Sequence, residues 1–466
     1  MGETALMIDF GSTFTKAVVV DLETEQIVGN SQAPTTVASD IMIGLKEALG
    51  DIDPTVLGER LKYKLACSSA AGGLRMVAVG FVKELTAEAA NMASLGAGAK
   101  VVDVFSYGLD DQEIEKILDI NPDIILLAGG TDGGNKHIII ENAKMLARCD
   151  LNAPIVFAGN RKAAQEAGAI LRNAGKDVMV TENVMPELNR INVEPSRKTI
   201  REIFMQRIIY AKGLDGARAF VDDILMPTPM ALLSAAALLA DGTKDEAGLG
   251  ELVIVDVGGA TTDVHSVAHG KPSGNAIFKG LPEPYQKRTV EGDLGIRYNA
   301  LHILERAGEE KILHHAGLDE SFSKALQRYI EKVTAHTSML PVNEIETRFD
   351  SGITRTAVEI AMDRHAGYLE EIYLSDGLVH IQKGKDLNGI KTVIGTGGHF
   401  VHSPHRFNAL QGSLYDPNKP FSLRPKAPML YADNEYILFS VGLLAEVAPD
   451  IAIRIGKAYL KPSDED

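Results

Sequence analysis

Residues 252–265 read LVIVDVGGATTDVH, and the fold turns on how they are read. Leu252, Val253, Ile254 and Val255 run straight into Asp256; Gly258 and Gly259 follow, then Thr261, Thr262 and a second acid, Asp263. An apolar run bounded by turn residues predicts a buried strand. Paired glycines after it predict a tight turn where backbone can approach another group closely. Amide N–H groups at such a turn, beside threonine hydroxyls, form a concavity for anions. Carboxylates alone repel phosphate. A divalent cation between them reverses the sign, and Mg²⁺ takes carboxylate, water and phosphate oxygens. Met alone, such a hairpin reads more simply as a glycine turn with solvated acids.

A second copy changes that balance. Residues 5–21 read ALMIDFGSTFTKAVVVD. Setting Asp9 on Asp256 places Gly11 on Gly258, Ser12 on Gly259 and Thr15 on Thr262. Each copy is apolar strand, acid, glycine turn, hydroxyl residues and strand. Internal repetition of this kind predicts two related domains facing one phosphate site. The copies differ where Lys16 stands at the position of Asp263, which weakens the case for Asp263. Lys16 reads equally as a phosphate contact and as a solvated lysine at a strand end.

The rest of the composition is that of an ordinary globular chain. Its 466 residues are 45% hydrophobic and 24% charged, enough for several domains with full cores. With 47 basic and 63 acidic residues the net charge is −16, which argues against a general nucleic-acid surface. Cys67 and Cys149 form no CxxC pair, so neither a zinc site nor a disulfide framework is expected, and a reducing cytoplasm fits. The start, MGETALMIDF, has no basic targeting region and lacks the myristoylation pattern at Leu6. The longest apolar run, residues 230–240, is too short for a bilayer span, so no membrane role is expected.

Taken in order, residues 6–9, 17–21 and 26–30 predict three short strands, residues 38–49 a helix, and residues 64–68 and 74–81 two more strands. Residues 84–97 predict a helix. Strand–helix alternation follows over residues 100–181, implying a sheet with crossover helices. Within it GGTDGG, residues 129–134, reads as a tight structural turn rather than a Walker loop, since no GK dipeptide precedes Ser or Thr. Residues 187–250 read as helical and connecting, and the polar link GTKDEAGLG (242–250) places a domain boundary there. The expected domains are residues 1–250 and 251–466.

In the second half, residues 275–279 predict a third strand after the hairpin. Glu291 and Asp293 precede a helical run, where acids suit the positive helix end; lining a cleft is the functional alternative. His314, His315 and His336 are expected at the surface. Residues 391–394 predict a strand leading into GTGGHF, where Gly395, Thr396, Gly397 and Gly398 allow backbone to lie close to a ring or ribose. His399, His402 and His405 recur every three residues, but Pro404 disrupts helical geometry and no acid accompanies them. Residues 410–429 read as proline-rich loop, and Asp433 as the N-cap of a final helix over 436–447.

Two acid–glycine–hydroxyl hairpins and a late GTGG strand end resemble the actin, sugar kinase and heat-shock chaperone superfamily of ATP-binding proteins. IDFGSTFTK is similar to its first phosphate motif, DVGGATTD to its second and VIGTGGH to its adenosine motif. The chain is closer still to the MutL (GlmL) family of accessory proteins encoded beside glutamate mutase, unrelated to the mismatch-repair protein of that name. KLACSSAAGGLRM, VKELTAEAA, LLAGGTDGGN, TVEGDLG and GTGGHF carry this likeness, which spans essentially the whole chain.

The resemblance implies an α/β fold of duplicated ribonuclease-H-like, actin-like ATPase domains with a nucleotide cleft between them. It implies that Asp9 and Asp256 organise Mg²⁺, mostly through water, and that Asp256 orients an attacking water. Gly11, Ser12, Thr13, Lys16, Gly258, Gly259, Ala260, Thr261 and Thr262 would cradle the phosphates. Gly395, Thr396, Gly397 and Gly398 would lie along the adenosine. Such a protein would be a slow ATPase serving a cobalamin-dependent mutase, glutamate mutase or a related aminomutase, in the manner of a chaperone-like reactivator. The cobalamin would belong to the mutase, because Asp263-Val-His265 continues to Ala268 where the base-off signature DxHxxG requires glycine. A small-molecule kinase, an iron–sulfur activator of acyl-CoA dehydratases and a nucleotide-binding scaffold without turnover are the competing readings, and a homodimer stays open.

Overall fold

A computed structural model describes residues 2–11, 14–36, 40–69, 74–94, 97–188, 190–211, 220–221, 225–272, 274, 276–280, 283–374 and 377–463. The chain forms two compact units. The N-terminal unit comprises Glu3–Val19 and Val28–Met230; the C-terminal unit comprises Ala231–Asp466, with Met1–Gly2 and the hairpin tip Val20–Ile27.

The first unit carries β1 (Thr4–Phe10), β2 (Phe14–Asp21), β3 (Gln26–Pro34), β4 (Leu61–Ser68) and β5 (Leu74–Gly80). It continues with β6 (Ala99–Ser106), β7 (Ile124–Leu127), β8 (Ile155–Phe157), β9 (Val178–Val180) and β10 (Leu225–Pro227). One sheet has the order β3-β2-β1-β4-β10, with β4 parallel to both β1 and β10. The short links from β1 to β2 and from β2 to β3 join only antiparallel neighbours. A second sheet, β6-β5-β7-β8-β9, is parallel throughout. Helices Lys83–Ser94, Asp111–Ile120, His137–Arg148 and Ala164–Asn173 return the chain between its strands, as the alternation predicts. Alternate residues on its strands serve two cores: Met76, Ala78 and Leu126 join Leu6, Ile8 and Phe10, whereas Val77, Val79 and Leu127 pack on Ile139 and Leu146.

The second unit carries β11 (Leu252–Val257), β12 (Thr262–Val267), β13 (Ile277–Phe278), β14 (Gln286–Glu291) and β15 (Tyr368–Leu374). It ends with β16 (Gly377–Lys383), β17 (Thr392–Thr396), β18 (Met429–Asp433) and β19 (Leu460–Pro462). Its main sheet runs β14-β12-β11-β17-β18-β19. β12 is antiparallel to β11 and β14, and β17 is parallel to β11 and β18. Relabelled by order within each unit, β3-β2-β1-β4-β10 and β14-β12-β11-β17-β18 are one topology: an antiparallel three-strand meander followed by two parallel strands. The duplication read from two hairpins therefore extends to five strands in each unit, the ribonuclease-H-like arrangement.

Several expectations are corrected. The third strand of the second meander is β14, not residues 275–279; of these, Ile277 and Phe278 form β13, which pairs with β16. β14 reads QKRTVE, half-buried throughout and held by charge, so no hydrophobic alternation marks it. The loop expected over 410–429 ends in β18, and the predicted final helix is the shorter Leu438–Leu444. A further helix, Pro449–Tyr459, follows it, with proline at its first position where a missing N–H does no harm. His315 is buried, its Nδ1 2.9 Å from the Thr356 hydroxyl, although its neighbour His314 is exposed. β10 lies in the stretch expected to be helical; three residues ending in proline give no period to read.

The units divide at Met230, ahead of the 242–250 link, inside the helix Thr228–Asp241. Ala236, Leu239 and Ala240 of that helix pack with Leu252, Ile254, Ile394, Leu438 and Ile453, which commits its length to the second unit. None of the described helices is long and apolar enough to cross a membrane. Helix Leu438–Leu444 lies so close to Thr228–Asp241 that a Cβ on Gly442 would run into the Ala231 carbonyl. Gly442→Ala is expected to cost about 1–3 kcal/mol through overpacking. In urea unfolding it should lower the midpoint with an unchanged slope.

Candidate functional site

The second hairpin turn is built from beneath. Gly258 N donates to the Thr261 carbonyl at 2.9 Å and closes the turn. The Gly258 carbonyl accepts from Ile296 N at 3.2 Å, and the Gly259 carbonyl from Arg297 N at 3.0 Å and Tyr298 N at 2.9 Å. The Ala260 carbonyl accepts from Asn299 Nδ2 at 2.9 Å, and the Thr262 hydroxyl donates to the Leu294 carbonyl at 2.7 Å. Three successive carbonyls thus face residues 296–299. In a planar trans peptide the N–H lies opposite the C=O. The N–H groups of Gly259, Ala260 and Thr261 therefore point away from that floor. Consecutive N–H groups aimed one way make an anion-binding concavity.

Asp256 and Asp263 are direct cross-strand partners in the hairpin, so their side chains share one face. Asp256 is half-buried and Asp263 buried. Arg288 Nη2 donates to Asp263 Oδ2 at 3.0 Å and offsets the like-charge pair; Asp263 Oδ1 is buried without a hydrogen-bond partner. An orphaned acceptor beside a second carboxylate suits a hydrated cation. Asp263 therefore has a better claim than its mismatch with Lys16 suggested.

β17 runs beside β11 and ends at the GTGG turn, Thr396 opposite Asp256. Gly395 has no room for a Cβ, because the Phe400 ring would lie 2.5 Å from it. Gly397 has φ +108° and is pressed against the Val257 carbonyl. Gly398, by contrast, is exposed with open space at its Cβ position, and it opens the short helix Gly398–His402. Thr396 turns its hydroxyl inward to Asp433 Oδ2 at 2.9 Å. Asp433 also accepts from Ile437 N and Leu438 N at 2.8 and 3.1 Å; the N-cap position itself belongs to Ile437, not to Asp433 as expected.

In the first unit Asp9 is buried at the end of β1. Its Oδ1 accepts from the Thr228 hydroxyl at 2.6 Å and lies 3.5 Å from Cys67 Sγ; Lys16 Nζ stands 3.6 Å from Oδ2. Burial, then the Asp9 charge, pushes the Cys67 thiol well above its ordinary pKa, so it stays protonated. Gly11 N donates to the Phe14 carbonyl at 3.1 Å, and a Cβ on Gly11 would stand 2.5 Å from that oxygen. Ser12 and Thr13 lie outside the described residues.

Glu291, the cross-strand partner of Thr262, and Asp293 are the next candidates. Glu291 and Asp293 both pair with Arg364, which donates to Asp293 at 2.7 Å through each Nη. That pairing outweighs burial and holds Asp293 at about 2, whereas burial dominates at Glu291 and raises its pKa. The GGTDGG turn is held by side chains. Asn160 Nδ2 donates to the Gly134 and Asn135 carbonyls, and Asn183 Nδ2 to the Gly130 carbonyl and Asp132 Oδ1. This supports its structural reading. Among the described residues no cluster of three His, Cys, Asp or Glu could hold a metal by itself.

The sequence pointed to neither Arg297, Asn299 nor Asp350. Arg297 and Asn299 follow TVEGDLG without any repeat to mark them. Asp350 carried a readable signal: a lone acid on the apolar stripe of Phe349, Ile353 and Ala357 in helix Glu344–His365. It is buried and takes Arg297 Nη1 at 2.7 Å. Burial raises its pKa, but His399 and Arg297 together pull it down from 3.8 to about 2. A carboxylate depressed on folding stabilises above its unfolded pKa and loses that stabilisation as pH falls through the folded value. Between pH 4 and pH 2, Asp350 should surrender about 2 kcal/mol of unfolding free energy. Urea titrations across that range should show this step shrink in Asp350→Asn.

Known proteins were compared with the chain. In the solved acetone carboxylase structure the likeness covers 96% of this chain and 70% of the other, with a TM-score of 0.38 and 13% identity. Gluconate kinase from Lactobacillus acidophilus is matched over 99% of this chain and 92% of its own, with a TM-score of 0.35 and 9% identity. Likeness this loose carries nothing about chemistry. "Protein MutL" of Clostridium tetanomorphum is 49% identical over 458 residues, 98% of each chain. The family model described as MutL protein matches residues 5–460, so this chain belongs to the MutL family.

Proposed function

We propose that this chain binds ATP with Mg²⁺, hydrolyses it slowly, and uses the cycle to reactivate or assemble a cobalamin-dependent mutase, glutamate mutase being the first candidate. The observation that carries the nucleotide reading is the turn at 258–261, whose carbonyls are all tied down so that three N–H groups face outward. Those groups would hold phosphate oxygens, and exposed Gly398 would lie along the nucleoside. Gly11, Ser12, Thr13 and Lys16 would be the corresponding phosphate contacts of the first unit. Mg²⁺ would be held through water by Asp256 and Asp9, with Asp263 Oδ1 as a further acceptor; when bound it neutralises charge on the phosphates. Asp256 would orient the attacking water. Catalysis in such a site is positioning plus charge neutralisation.

Family membership supports the accessory role, in keeping with the resemblance to proteins encoded beside glutamate mutase. The mutase would supply the cobalamin. His265, in the DxHxx stretch that begins at Asp263, is fully buried in β12, its ring without hydrogen-bond partners and its pKa pushed far down by burial. Its burial supports leaving the cobalamin to the mutase. Both cysteines are free, as a reducing cytoplasm would keep them.

Calorimetric titration with ATP and ADP, each with and without Mg²⁺, tests the core of this reading. Mg²⁺-dependent ATP binding is expected. Asp256→Asn should retain binding and lose about 10²-fold in hydrolysis. Absence of heat with either nucleotide would remove the reading. Unchanged mutase reactivation by Asp256→Asn would favour a scaffold without turnover, and substrate-dependent ADP release a kinase.

A further inference from the structure

Asp350 is far in sequence from both halves of the proposed nucleotide site, and it touches the framework of each. Arg297 grips its carboxylate through Nη1 at 2.7 Å and Nη2 at 3.3 Å. The same Arg297 forms part of the phosphate turn's floor: its N–H holds the Gly259 carbonyl, and its Cγ lies 3.4 Å from where a Gly259 Cβ would stand. On the other side His399 Nδ1 lies 3.3 Å from Asp350 Oδ2. His399 directly follows Gly398, the exposed glycine of the GTGG turn. Its Nε2 is buried without a partner, so Asp350 is the ring's hydrogen-bond anchor and selects the tautomer with its proton on Nδ1. Tyr329 completes the set, its hydroxyl donating to Oδ1 at 2.9 Å.

We propose that Asp350 is a positioning residue that locks the phosphate turn and the GTGG turn into one spacing, so that the phosphate and nucleoside ends of a nucleotide are bound as a single unit. This rests on the nucleotide reading above and names the group that couples its two ends. Two of the partners of Asp350 lead to the proposed ligand, and the third, Tyr329, does not. A purely structural ion pair would make all three partners equivalent in their effect on binding. A positioning role separates them.

Coupling between the two ends can be read without an intact nucleotide. Adenosine affinity is measured by calorimetry on the full chain, with and without saturating magnesium tripolyphosphate. In the wild type the tripolyphosphate should tighten adenosine binding about 5- to 10-fold, and by reciprocity the reverse. Asp350→Asn should bring that factor to about 1. Because it leaves Arg297 buried and unpaired and could impair folding, His399→Asn is the second variant: it keeps the Arg297 pair yet should also abolish the coupling. Tyr329→Phe loses a hydrogen bond to the same carboxylate but should keep the full factor. Coupling that survives in His399→Asn, or that is lost equally in Tyr329→Phe, overturns the proposal. A wild type that binds ATP yet shows no coupling overturns the positioning role alone; one that binds neither ATP nor tripolyphosphate overturns the nucleotide reading with it.

Discussion

The site depends on where a few peptide carbonyls point. A four-residue turn between antiparallel strands can face its carbonyls to either side, and in isolation nothing decides between them. Here residues 296–299 decide. They supply three backbone N–H groups and one side-chain amide to the carbonyls of Gly258, Gly259 and Ala260. Once those bonds form, peptide planarity fixes the opposite N–H groups outward. The outward row of N–H groups follows from a constraint that involves no anion. The close approach this needs explains Gly295, where a Cβ would collide with the Ala260 backbone. It also explains why Gly259 sits flat on the Arg297 stem.

The strand–acid–glycine–hydroxyl pattern was legible because it appears twice, and its two copies begin the same five-strand order in both units. The parallel insert was legible from its alternation. What escaped had physical reasons. β14 is a strand of Gln, Lys, Arg, Thr, Val and Glu, held by pairs such as Arg288 with Asp263 rather than by an apolar face. β10 is too short to have a period. Asn299 and Arg297 act through bonds to carbonyls, and any donor-bearing residue in the right place could do that, so residue type carries little signal. Thr228 reaches Asp9 across 219 positions of chain, a contact no local pattern encodes. His315 was misjudged because helical, polar surroundings in sequence conceal a neighbour such as Thr356 on another helix.

Although they share a topology, the two hairpins differ in charge. At the first, Asp9 already has a cation, since Lys16 stands at the strand position taken by an acid in the second copy. Thr228 and Cys67 occupy the remaining approach to its Oδ1. At the second, two acids share one face of the hairpin, Arg288 donates to Asp263 Oδ2, and Asp263 Oδ1 is left without a donor. A buried unpaired acceptor costs about 1–3 kcal/mol, so it persists where something else satisfies it. The first copy thus sets a lysine beside its acid, and the second sets two acids side by side.

That asymmetry bears on what each copy contributes to phosphate chemistry. A carboxylate with a lysine beside it repels phosphate less than a bare one, and Lys16 would add a fixed point charge there. A pair of carboxylates repels it more, because like charges on one face of a hairpin oppose each other and the phosphate alike. On the proposed reading a phosphate would reach the second copy together with a cation and its water, and the turn's outward N–H groups would receive the oxygens. Divergence at one position, Lys16 in one copy and Asp263 in the other, thus gives two hairpins of one topology different charge.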